Sequence, residues 1–92
     1  MTPQEINDQL ELLRLKELFM SDIKIRSKMA HLLSEECAAE VPPYQEFCEL
    51  THCTLEIATM FTHISLYDVM LTRKEIATER KRLERMKHDT LQ

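Results

Sequence analysis

An all-α fold is what this 92-residue chain predicts, and three observations carry the expectation. The chain contains no glycine, its apolar residues recur at alternating spacings of three and four, and no proline interrupts that rhythm between Pro3 and Pro42. Turns between short strands draw heavily on Gly and Asn, so a β-rich fold is disfavoured. The expected architecture is one domain over residues 1–92. It is a long antiparallel helical hairpin, with a separate C-terminal helix as an option, assembling as a homodimeric helical bundle.

The first helix is expected over about residues 3–39. Thr2-Pro3-Gln4-Glu5 reads as its start, with Thr2 as N-cap, Pro3 in the first helical position and Glu5 completing a capping box. Ile6, Leu10 and Leu13 begin one apolar stripe. Leu12, Leu15, Phe19 and Ile23 form a second, and Leu18, Ile25, Met29, Leu32 and Leu33 carry the spacing onward to Cys37. Ser21-Asp22 marks a kink or a second start, which leaves two shorter helices as the alternative.

Pro42-Pro43 is the strong break in the pattern. Proline disfavours helical geometry in the residue before it, which places a turn here, and Pro43 can open the next helix because its missing N–H would have been unpaired there. The second helix, over about residues 43–71, is the stretch around which the chain is expected to pack. Leu50, Cys53, Ile57, Met60, Ile64, Tyr67 and Leu71 line one side, and Cys48, Leu55, Leu66, Val69 and Met70 fall roughly opposite. Between Ile57 and Leu71 the formally charged side chain is Asp68. A helix apolar on two sides is normally buried on two sides, by its own chain and by another copy or another protein.

Thr72-Arg73-Lys74-Glu75 is another capping-box pattern, opening a basic helix over about residues 72–89 or sitting within a continuous one. Ile76, Leu83 and Met86 keep a thin apolar seam there. Residues 1–72 hold 12 acids and 5 bases, a net of −7, whereas residues 73–92 hold 7 bases and 4 acids, a net of +3. That asymmetry suits attraction between two copies, or between the tail and an acidic partner.

Composition bounds the function. A chain of this size buries about 60–65% of its unfolded surface, so association would help it. Without glycine, phosphate-cradling loops, dinucleotide-binding turns and nucleophile elbows are all disfavoured together, and no enzymatic activity, cofactor or small-molecule substrate is expected. Cys37, Cys48 and Cys53 are an odd number with no CxxC spacing, which suits reduced thiols in the cytoplasm. The N-terminus lacks a signal-peptide pattern, and the least charged window is too short for a membrane span.

Several side chains carry chemistry of their own. Arg73, Lys74, Arg80, Lys81, Arg82, Arg85 and Lys87 can neutralise phosphates, but Glu75, Glu79 and Glu84 interrupt them, and pairs such as Glu79 with Arg82 describe a solvated helix. Glu49-x-x-His52 with Glu56 has the spacing of helical metal ligands on one helix side, although one chain supplies a single such motif. His31 and His63 could meet across the hairpin. Cys53 reads as a small core residue, and Cys37 has its thiolate disfavoured by Glu35 and Glu36. Asp68, if buried, needs a partner such as Lys24, Arg26 or Lys28; at the rim it reaches water.

The leading functional expectation is a non-enzymatic protein–protein interaction module, such as a small adaptor, chaperone or inhibitor. Its partner surface is expected to join Phe61, Leu66, Val69 and Met70 with Arg73, Lys74, Arg80, Lys81 and Arg85. The alternatives are a dimeric DNA-binding regulator using the basic helix and a metal-binding helical bundle.

Overall fold

The computed structural model describes residues 2–32 and 41–91, and over them the chain is all-helical, with six helices and no strand. They are α1 (Pro3–Ser21), α2 (Ile23–Leu32), α3 (Val41–Thr51), α4 (Leu55–Thr62), α5 (Leu66–Val69) and α6 (Arg73–Leu91). The expected hairpin of two long helices is therefore cut into shorter pieces. Cys37, and the end of the first helix expected near residue 39, lie outside the described residues.

Side-chain caps explain the cuts. Thr2 opens α1: its Oγ1 accepts from the Glu5 N–H at 3.2 Å and donates to Glu5 Oε1 at 3.1 Å. In place of one helix over 3–39, the chain leaves helical geometry at Asp22, whose backbone is extended and whose Oδ1 accepts from the N–H groups of Lys24 and Ile25. A carboxylate in that position satisfies donors that the first turn of a helix leaves orphaned. Arg26 then folds back, donating to the carbonyl oxygens of Phe19 and Met20 at 2.7 and 2.8 Å and closing the C-terminus of α1. Ile23, placed on the core stripe by spacing alone, is 75% exposed just after this break.

The expected second helix is cut twice and ends early, at Val69. Pro42 and Pro43 do not form a turn; they fall in the first turn of α3, where a missing N–H costs no hydrogen bond. The chain then turns at His52, which takes a positive φ of 55°. Thr54 caps α4 by accepting from the Ile57 N–H at 3.2 Å. Ser65 caps α5, accepting from the Asp68 N–H at 3.3 Å and donating to Asp68 Oδ2 at 2.9 Å. Finally Thr72 and Glu75 exchange a reciprocal capping box that starts α6 as a separate helix: the Glu75 N–H donates to Thr72 Oγ1 and the Thr72 N–H to Glu75 Oε1.

Packing makes α1 the centre. It lies against α2, α4 and α6, while α3 lies against α2 and α4. Leu12, Leu15 and Phe19 join Met29, Phe47, Ile57, Ala58, Phe61 and Val69 in the main core, where the Phe47 and Phe61 rings stack with centroids 6.0 Å apart. Leu13 instead meets Ile76 and Leu83 of α6 in a second, smaller cluster. The helix buried on two sides is thus α1, not the 50–71 stretch. Burying apolar side chains on both of its faces yields about 1.5–3 kcal/mol for each large one.

Candidate functional site

The residues expected to form one partner surface are separated by the fold. Phe61 and Val69 are 1% and 0% exposed and belong to the main core. The Leu66 side chain lies outside the described residues. Met70 is exposed, beside half-buried Leu71. One reason is the break at Ser65: α4 ends at Thr62 and α5 starts at Leu66, so the spacing of a continuous helix no longer relates the positions before it to those after. Tyr67 shows the same effect in reverse. Spacing put it on the stripe with Ile57 and Met60, yet it is 93% exposed.

What the fold builds instead is an open groove of about 880 Å³ between α1, the α4–α5 segment and the start of α6. Leu12, Met60, Ile64 and Leu71 supply its apolar surface, and Tyr67 stands at its lip. Asp68, Glu75 and Glu79 border it, against one cation, Lys16. Asp68 is exposed and bonded to Ser65, which settles its position at the rim. The bases expected to pair with it are engaged elsewhere or lie in solvent: Arg26 caps α1, Lys28 forms an ion pair with Glu46, and Lys24 is exposed. Lys28 holds the Glu46 carboxyl below its usual range, and Arg82 does the same for Glu79. A second hollow of about 460 Å³ between α1 and α6 is lined by Met20, Ile76 and the Glu17–Arg80 ion pair.

The basic helix divides into two faces. Ile76 and Leu83 are buried against α1, Arg80 reaches Glu17, and Arg82 donates to Glu79 at 3.0 Å through Nε. At about 100° per residue, Lys74, Thr78, Lys81 and Arg85 fall on the opposite side, and all four are exposed. Arg73 is exposed and lines the hollow between α1 and α6, and of the expected basic contact set Arg80 is the one whose ion pair with α1 is seen among the described residues.

The spacing-based metal set does not assemble on one helix side. Glu49 is on α3, His52 is the left-handed residue that ends it, and Glu56 is in the first turn of α4. Among the described residues, no group of three or more His, Cys, Asp and Glu side chains gathers as a metal site. His63 is the C-cap of α4, its N–H donating to the Met60 carbonyl oxygen at 3.2 Å, whereas His31 acts on Glu46 across the α2–α3 contact. No described helix is long and apolar enough to cross a membrane.

What spacing missed is the geometry of the α3–α4 corner, and Thr51 with it. Thr51 is buried; its hydroxyl donates to the Phe47 carbonyl oxygen at 2.8 Å and lies 3.1 Å from the Cys53 sulfur. Cys48 and Cys53 are half-buried free thiols on the edge of the main core. Burial, followed by the neighbouring Cys53 sulfur, pushes the Cys48 thiol up to about 11. The legible signal was Thr54-Leu55-Glu56-Ile57, a helix start within an apparently continuous pattern.

Fold and groove together define the class: a small all-helical protein with an acid-bordered apolar groove. No family model, curated protein or solved structure matches the chain.

Proposed function

We propose that this chain is a non-enzymatic protein-interaction module that docks a basic amphipathic helix of another protein in the groove between α1, α4–α5 and α6. The observation that carries the reading is the lining: Leu12, Met60, Ile64 and Leu71 inside, Tyr67 at the lip, and Asp68, Glu75 and Glu79 along the border. An apolar trough between helices accepts the apolar stripe of another helix through anchors at i, i+3, i+4 and i+7. Asp68 and Glu75, together with Glu79 whose charge is shared with Arg82, stand against Lys16 and favour a partner whose flanking residues are Lys or Arg, chiefly by raising the association rate. Roles as an adaptor, chaperone or inhibitor are all forms of this one event. Pairing of two copies through the same face is the form of the homodimer that this proposal retains.

The test uses two synthetic amphipathic helices of equal length, one Leu/Lys and one Leu/Glu, titrated into the full chain and followed by fluorescence anisotropy. The Leu/Lys peptide binds more tightly, and its affinity falls as salt rises. Equal affinity for the two, or preference for Leu/Glu, overturns the proposal. Sedimentation of the chain alone reads self-association in the same samples.

A second reading is favoured by the exposed Lys74–Lys81–Arg85 face of α6, flanked by Glu84 and followed one turn on by Asp89. Such a stripe could follow a phosphate backbone. It predicts retardation of duplex DNA at low salt that disappears when Lys74, Lys81 and Arg85 become Ala. Absence of retardation at low salt removes it.

A further inference from the structure

The C-terminus of α3 closes in a Schellman turn. His52 takes the left-handed conformation, and the Cys53 N–H donates to the Cys48 carbonyl oxygen at 3.3 Å, the six-residue closure that defines the motif. A contact between apolar side chains at its first and last residues frequently accompanies this motif. Here both are cysteines. Both are half-buried beside the same apolar cluster, the Thr51 hydroxyl lies 3.1 Å from the Cys53 sulfur, and Cys53 is near enough to Cys48 to help push its thiol up.

We propose that Cys48 and Cys53 form a reversible dithiol–disulfide pair, oxidised within one chain by a small-molecule disulfide of the glutathione class. One cysteine, as thiolate, attacks a sulfur of the oxidant, forming a mixed disulfide and expelling one small thiolate. The second cysteine then attacks the protein sulfur of that mixed disulfide and releases the other small thiol. The two protein thiols lose two electrons and two protons, and the oxidant disulfide becomes two thiols. A protein disulfide requires Cβ atoms about 3.5–4.5 Å apart, and the bond from the Cys53 N–H to the Cys48 carbonyl oxygen holds the two backbones side by side at 3.3 Å. The new bond joins the last turn of α3 to the residue preceding the Thr54 cap, so it fixes the corner between α3 and α4 covalently. Because Cys48 is held as a thiol at neutral pH, oxidation accelerates as pH rises. The dithiol pair stands apart from the groove and does not depend on its occupant.

The experiment incubates the full chain with oxidised glutathione, quenches in acid, alkylates the remaining thiols and maps the peptides by mass. The expected product is a monomer with two fewer alkyl groups, its link placed between Cys48 and Cys53 and Cys37 still alkylated. Formation is independent of protein concentration, faster at about pH 9 than at about pH 7, and reversed by dithiothreitol. Cys48→Ser and Cys53→Ser each leave the remaining partner as a stable glutathione adduct. A link to Cys37, a link between chains, or persistence of glutathione adducts in the unsubstituted protein overturns the proposal.

Discussion

Arg14 in α1 donates from Nη1 to the carbonyl oxygen of Thr51 at 2.9 Å, joining the middle of the first helix to the end of α3. The same guanidinium is held by Glu11, at 2.9 Å from Nη2. A helix end leaves carbonyl oxygens without partners, and here another helix supplies the donor. Replacing Arg14 with Met should keep the packing of the stem and remove the bond, lowering stability by about 1–2 kcal/mol in a urea titration. Replacing Glu11 with Ala should cost less, about 0.5 kcal/mol, since exposed ion pairs contribute little.

Burial of α1 on two sides predicts that its leucines report on different halves of the molecule. Leu13→Ala and Leu15→Ala should each cost about 2–5 kcal/mol. Hydrogen exchange separates them: Leu13→Ala should raise exchange first in α6, and Leu15→Ala first across α2 to α4.

Neighbouring positions in α5 should behave oppositely. Val69→Glu places a charge in the main core and should cost several kcal/mol. Tyr67→Ala, at a side chain 93% exposed, should change the melting temperature little while weakening peptide binding in the groove. Parallel thermal melts and anisotropy titrations read both effects.

The caps make a graded prediction. Thr54→Ala removes the acceptor for the Ile57 N–H and should cost about 1 kcal/mol. Thr59→Ala, an exposed mid-helix change that removes a hydroxyl bonded to the Leu55 carbonyl oxygen, should be close to neutral by denaturant midpoint.

Alkaline pH tests the thiol environment. The Cys48 thiol is pushed from 9.0 to about 11, mainly by burial, so the fold favours its protonated form. In the window between those values the unfolded chain holds fewer protons than the folded one, and stability falls as pH rises. The contribution is complete below 9.0 and gone once pH passes about 11. Denaturation across that window should show a steeper decline for the unsubstituted chain than for Cys48→Ala.

Helical content was legible because it rests on local signals: no glycine, and apolar spacing at 3.6 residues. Thr2 was legible as a cap for the same reason, while Thr72 was open between a helix start and a mid-helix residue, and Ser21-Asp22 between a kink and a second start. Periodicity misleads where capping chemistry overrides it. From Leu50 to Leu71 the apolar rhythm continues across Thr54 and Ser65, so a periodic template sees one helix. Each of those residues nevertheless offers a side-chain oxygen to the N–H three positions on and starts a new element. Every restart re-aims the residues after it, which is why Val69 turned inward and Tyr67 outward.

The candidate site was less legible than the fold because it depends on helices distant in sequence. Leu12 and Lys16 meet Met60, Ile64 and Glu75 through the packing of α1 on α4 and α6. Nothing in local spacing selects those partners. The Cys48–Cys53 pairing was also hidden, since at five residues apart the two side chains diverge on a continuous helix, whereas here the left-handed His52 turns the chain so that the Cys53 N–H bonds the Cys48 carbonyl oxygen.

Residue-resolved amide shifts of the ¹⁵N-labelled chain during titration with the Leu/Lys helical peptide test the groove most directly. The account predicts saturable shifts concentrated at Leu12, Lys16, Met60, Ile64, Tyr67 and Leu71, with the outer face of α6 at Lys74, Lys81 and Arg85 unchanged. Saturable shifts confined to that outer face, or no saturable shift anywhere, would contradict it.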